Sequence, residues 1–182
     1  MKTAFTILAI LFLAVQPVHG TPLTPGSQVI PSAESALPAG SYVFSPTTVS
    51  ISGVNALGET RFTGTLTFAV YRESATGFLD FLYQYHNNTS SRDPVEHLTM
   101  TDFATVTTDV THLLTTPTGF SSGTVVPTIA TRSPGLGSVV SFDFPTPSSI
   151  GPGQTTEVLA IHTNATQFDL GTTNLIDGAV AK

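Results

Sequence analysis

The 182-residue chain has no cysteine and no tryptophan, and its only lysines, Lys2 and Lys182, sit at its extremes. Without cysteine there is no thiolate nucleophile, no cysteine-ligated zinc, no iron–sulfur chemistry and no disulfide to reinforce the core. Without tryptophan, aromatic recognition falls to tyrosine and phenylalanine. Charge is sparse as well: 6 lysines and arginines against 12 aspartates and glutamates give a net charge of −6. Beyond residue 20 the arginines are Arg61, Arg72, Arg92 and Arg132, too few to assemble a basic patch. Binding to a phosphate backbone then lacks its electrostatic driving force, so no nucleic-acid partner is expected. A sustained amphipathic helical period is missing too.

What the chain does have is threonine, which recurs every two or three residues over 99–118. A β-branched side chain with a hydroxyl suits a pleated, half-wetted surface, so the composition points to sheet. The first twenty residues differ in kind. Lys2 is followed by an apolar run over 4–15, and Val18-His19-Gly20 places small residues at the −3 and −1 positions of a cleavage site. The run is short for a membrane span, so 1–20 is expected to be an export signal, with Thr21 as the mature start and no membrane span after it. About 160 residues then remain, one domain's worth of chain. Within it, 21–40 is expected to be an irregular N-terminal arm, rich in Pro and Ser, and 41–182 a single domain.

The clearest element is 60–73, where Phe62, Gly64, Leu66, Phe68 and Val70 alternate with Arg61, Thr63, Thr65 and Thr67. A short turn over 74–77 ends in Gly77, and 78–87 alternates again, which predicts a hairpin. Further strands are expected at 41–52, 95–103, 107–115, 124–131, 138–144, 157–163 and 167–176. Many short strands separated by Gly, Pro and Asn predict an all-β, antiparallel two-sheet sandwich, with a jelly roll as one topology.

Several constellations bear chemistry. Gly119-Phe120-Ser121-Ser122-Gly123 fits G-x-S-x-G, and Asp143 and His162 follow in the order of a hydrolase triad. The elbow requires a strand before the serine and a helix after it; Pro117 and a strand-like Thr/Val/Pro stretch stand there instead, so a solvent loop is the expected reading. Asp80 with Glu96 would be a carboxylate pair for glycoside cleavage. His86, His97, His112 and His162 would converge on a metal with Asp80, Glu96 or Asp109 only if folding brought them together, since no two have zinc-motif spacing. Asp93, Glu96 and Asp102 offer oxygen ligands for calcium, without an EF-hand pattern. Tyr71, Tyr83 and Tyr85 form the candidate platform for a sugar ring, although their hairpin is also where the core should lie. Asp80, in an apolar strand, needs a partner, for which Arg72 and Arg132 are the candidates. Asn87, Asn88 and Asn164 fit the glycosylation sequon and are read as surface markers.

Phe62-Thr63-Gly64-Thr65-Leu66, Gly77-Phe78-Leu79-Asp80-Phe81-Leu82-Tyr83-Gln84, Arg132-Ser133 before Gly137-Ser138-Val139-Val140-Ser141-Phe142, Leu159-Ala160-Ile161-His162-Thr163-Asn164-Ala165-Thr166 and Ile176-Asp177-Gly178 together carry a resemblance. They resemble exported bacterial proteins that commonly end in a PEP-CTERM sorting tail, over about residues 62–178. The resemblance implies a shared fold, no known reaction, and a place at the cell surface or in an extracellular polysaccharide matrix. The chain stops at Lys182 without a Pro-Glu-Pro motif, an apolar helix or a basic end, which leaves two alternatives, a protein released freely or a truncated form of a longer one. The expectation is therefore a secreted, non-enzymatic β-sandwich that binds polysaccharide, other surface proteins or copies of itself, with no cofactor unless calcium is bound. A secreted hydrolase using Ser121, Asp143 and His162 is the alternative.

Overall fold

The computed structural model describes residues 19–169 and 171–176; most of the expected leader, and Asp177-Gly178, lie outside the described residues. Twelve strands follow one another: β1 (Thr21–Pro22), β2 (Gln28–Val29), β3 (Ser32–Glu34), β4 (Gly40–Val54), β5 (Thr60–Glu73), β6 (Leu79–Asn87), β7 (His97–Met100), β8 (Thr108–Leu113), β9 (Ile129–Arg132), β10 (Val140–Asp143), β11 (Val158–Thr163) and β12 (Thr173–Ile176). One sheet has the order β1-β8-β11-β6-β5-β4, with β3 added parallel to β8; the other runs β12-β7-β10-β9-β2. All other pairings between these strands are antiparallel, and the two sheets face each other as a sandwich, as the alternation predicts. Among the described residues no helix is long and apolar enough to cross a membrane.

The β5–β6 hairpin forms at the expected place, and Gly77 takes the positive φ of 73° that closes its turn. Alternation sends Phe62, Leu66 and Tyr85 inward, where they meet Leu98, Met100, Phe142 and Leu175 of the facing sheet. Gly53 and Gly64 make this packing fit: a Cβ at either would run into the ring of Phe62 or of Tyr85. On the outer face of the larger sheet, Ala69, Leu82, Leu113, Val158 and Ala160 form a second, smaller core against Leu37, Tyr42, Tyr71 and Phe120. Both faces of β6 and β11 are thus covered, and all six residues of β11 are buried.

Three expectations differ in detail, the strand expected at 167–176 being confined to Thr173–Ile176. The segment read as an irregular arm supplies β1 and β3 to one sheet and β2 to the other, so it is stitched across both. The strand expected at 124–131 is displaced to Ile129–Arg132, because Pro127 has no N–H to give a ladder.

Candidate functional site

Between the sheets, at the end bounded by β4, β5 and β6, the core opens into a cleft of about 840 Å³. Its sheet wall carries Phe44, Phe68, Phe81 and Tyr83, and its opposite wall comes from the segments 101–106, 165–169 and 171–173. The rings are ordered against one another: Phe44 stacks on Phe68 with centroids 5.7 Å apart, and Phe81 meets Phe103 edge-on at 5.4 Å. Tyr83 is half-buried, and burial pushes its phenol well above the ordinary range. Its hydroxyl has no hydrogen-bond partner among the described residues, so an unpaired polar group is left on an otherwise apolar sheet wall. Asp102, Asp169 and Gln167 supply the polar rim.

The loop opposite is strained and held. Asp102 and Thr105 have φ of 77° and 69°, a conformation that a β-branched residue such as Thr105 rarely accepts. Buried Arg132, reaching from β9, donates to the carbonyls of Phe103 (2.7 Å) and Val106 (2.8 Å), which flank Thr105. It also donates to Gly137 O (2.8 Å), Leu23 O (3.2 Å) and Thr108 Oγ1 (3.1 Å). Strain maintained by surrounding bonds in this way is characteristic of binding sites, because it pre-sets the wall before a ligand arrives.

The three tyrosines of the expected platform do not share a surface. Register pairs Tyr71 with Asp80, placing it on the outer face, where its hydroxyl donates to Pro38 O (2.9 Å) and its ring meets Tyr42 edge-on. Tyr85 is fully buried in the main core, and of the three Tyr83 lines the cleft.

The expected calcium ligands are likewise dispersed. Asp93 is held by Arg61, with Nε–Oδ2 and Nη2–Oδ1 distances of 2.5 and 2.9 Å. Glu96 accepts from Thr146 Oγ1 (3.1 Å), and Asp102 accepts from Thr101 Oγ1 (3.0 Å). The four histidines find separate partners. His86 meets Thr155 Oγ1 at 2.8 Å, His97 meets Asp143 at 2.8 Å, and His112 meets Glu157 at 2.6 Å.

The residues of the expected triad are also apart in their bonding. Asp143 is engaged with His97 and Ser141 on the smaller sheet, while His162 belongs to the larger one. Ser121 is exposed, with its backbone clamped by the buried Gln84 side chain through Ser121 N to Oε1 (2.9 Å) and Nε2 to Ser121 O (2.7 Å). Of the sequons, Asn87 is fully buried and donates to Ile150 O and Asp93 O, while Asn88 is half-buried and Asn164 is exposed.

Asp80 does have a partner, but it is neither arginine. Arg72 donates to the carbonyls of Gly77 and Thr166, and Arg132 to those already described. Instead His162, directly across from Asp80 in the β11–β6 register, places Nδ1 at 2.9 Å from Asp80 Oδ1. Its Nε2 stands 3.3 Å from Glu34 Oε2, an ion-pair approach that is not aligned as a hydrogen bond. Burial alone would lower the His162 pKa, but the two carboxylates push it up to about 9. Burial raises Asp80 and Asp109, whereas the His162 contacts hold Glu34 below its ordinary value despite burial. Glu73, from the end of β5, joins this group: Glu73, Asp80 and His162 each place one ligand-type atom within 4.8 Å of the others, a metal-competent grouping matched nowhere else among the described residues. Sequence reading missed Glu73 and Glu34, since neither lies in a motif.

Fold and cleft together define a class: a two-sheet sandwich with an aromatic cleft between its sheets. No known protein family, no curated protein and no solved structure matches the chain.

Proposed function

We propose that the protein is a secreted, non-catalytic binding module whose inter-sheet cleft seats a sugar ring of an extracellular polysaccharide. The observation that carries this reading is the cleft itself, with aromatic rings on one wall and among them the Tyr83 hydroxyl, which has no partner among the described residues. A pyranose presents apolar C–H faces and equatorial hydroxyls, so it wants flat rings and a few hydrogen-bonding groups in one concavity. The volume lies within the range of small-molecule sites. Export rests on the pattern of residues 1–20, and a matrix or surface setting on the PEP-CTERM resemblance. The separate partners of Ser121, Asp143 and His162 favour binding over hydrolysis.

The test is calorimetric titration of the purified chain with a polysaccharide panel that includes the producing cell's own matrix, with a fatty acid as apolar probe. Saturable sugar binding is expected, weakened about ten-fold by Tyr83→Phe, the equivalent of one lost hydrogen bond. Absence of sugar binding, or binding that Tyr83→Phe and Phe68→Ala both leave intact, overturns the reading. Binding of the fatty acid alone would reassign the cleft to apolar ligands.

A further inference from the structure

We propose that Glu73, Asp80 and His162 form a buried site for a divalent first-row transition ion of the zinc type, independent of the cleft and of any ligand there. The three side chains come from neighbouring strands, β5, β6 and β11, on the outer face of the larger sheet. Their exposures are 7%, 0% and 5%.

Three observations point to a cation. The first is an orphan: Asp80 Oδ2 is fully buried and has no hydrogen-bond partner. A carboxylate oxygen removed from water with nothing bonded to it is costly, and a metal ion satisfies it. The second is charge. Glu34, Glu73, Asp80 and Asp109 gather around His162, with His19 at 3.6 Å from Glu34, and the nearby Arg72 is bonded to carbonyls instead. Buried acids in excess of imidazoles leave room for a dication.

The third observation is the outer shell. A ligating histidine usually turns its second ring nitrogen to a carboxylate that fixes its orientation, and Glu34 stands opposite His162 Nε2 in that position. Glu34 is itself held by Gly20 N–H (2.9 Å). Glu73 is steadied in the same manner, accepting from Thr76 Oγ1 at 2.5 Å. The donor set of one imidazole and two carboxylates selects the ion: calcium prefers oxygen throughout, while imidazole suits zinc and its neighbours. On binding, the ion replaces the proton between His162 Nδ1 and Asp80 Oδ1. It would tie β6 to β11 across 82 residues of sequence in a chain that has no disulfide to do so.

The purified chain, stripped with chelator and dialysed, is titrated with zinc by calorimetry and with cobalt by visible absorption. Expected are one saturable equivalent, cobalt ligand-field bands that zinc abolishes, a raised melting temperature, and no comparable response to calcium. Glu73→Gln keeps the shape and should weaken zinc binding at least ten-fold, as should His162→Gln, and Glu34→Gln by about ten-fold or more. Asp93→Asn, remote from the site, should bind as the parent does. Should His162→Gln fail to fold by circular dichroism, the parent and Glu73→Gln titrations decide. A folded parent chain that takes up no zinc or cobalt, or a Glu73→Gln chain that binds as tightly as the parent, overturns the site and leaves His162 as an imidazolium between carboxylates.

Discussion

Replacing Arg132 by lysine keeps the positive charge but removes the planar fork, and the bonds it makes make the cost calculable. The guanidinium donates to five acceptors, from Leu23, Phe103, Val106, Thr108 and Gly137. A lysine ammonium has three donors on a point charge and reaches two of these at best. Leu23 O retains the Thr108 hydroxyl at 2.8 Å, so the loss falls mainly on the carbonyls of Phe103, Val106 and Gly137. At about 1.5 kcal/mol for each of three hydrogen bonds lost to a charged donor, the low end of the range for such bonds, Arg132→Lys should destabilise the fold by about 4–5 kcal/mol. For a domain of this size that is a drop of roughly 10 °C in melting temperature. Urea unfolding followed by far-ultraviolet circular dichroism measures it. Because two of the carbonyls flank the strained Thr105, the loop should also relax, and proteolysis of the folded variant should cut first between residues 101 and 107. A variant within about 1 kcal/mol of the parent would refute the reasoning, showing that water or lysine satisfies the cage.

At Gly64 an alanine Cβ would press into the carbonyl of His86 and stand 2.5 Å from the Tyr85 hydroxyl. Gly64→Ala should therefore cost about 1–3 kcal/mol in urea unfolding, and an unchanged midpoint would show that β5 and β6 can separate freely there. The tyrosines give a pH test. Burial, with the Tyr71 charge in support, raises Tyr42; burial, with the charges of Asp80 and Glu73 in support, raises Tyr71; and burial alone raises Tyr83. A raised phenol favours the protonated form in the fold, so the associated stability is complete below about pH 10 and is lost as pH rises through the folded values. Phenolate absorbance should rise later in the native chain than in urea; coincident titrations would contradict the burial.

The hairpin was legible because apolar residues and threonines alternate from Phe62 to Phe68 and Gly77 marks the turn, both local signals. Sandwich architecture was legible from the frequency of such segments. Asp80 was recognised as needing a partner, yet arginine was expected and histidine found. Which strand lies beside β6 depends on a pairing across 82 residues, and nothing local encodes it. Tyr71 left the expected platform for a related reason: its face relative to Tyr83 is fixed by register with β6, not by its own alternation.

By itself, then, the sequence determined the strand-forming pattern, the absence of thiol chemistry and of a basic surface, and the solvent-loop context of Ser121. These depend on side-chain type and near-neighbour spacing, which a chain carries before it folds. Tertiary structure alone decided the cleft, whose walls come from β4, β5, β6 and two later segments, and the grouping of Glu73, Asp80 and His162. Both are products of strand order, and strand order follows from which apolar faces bury each other best over the whole chain.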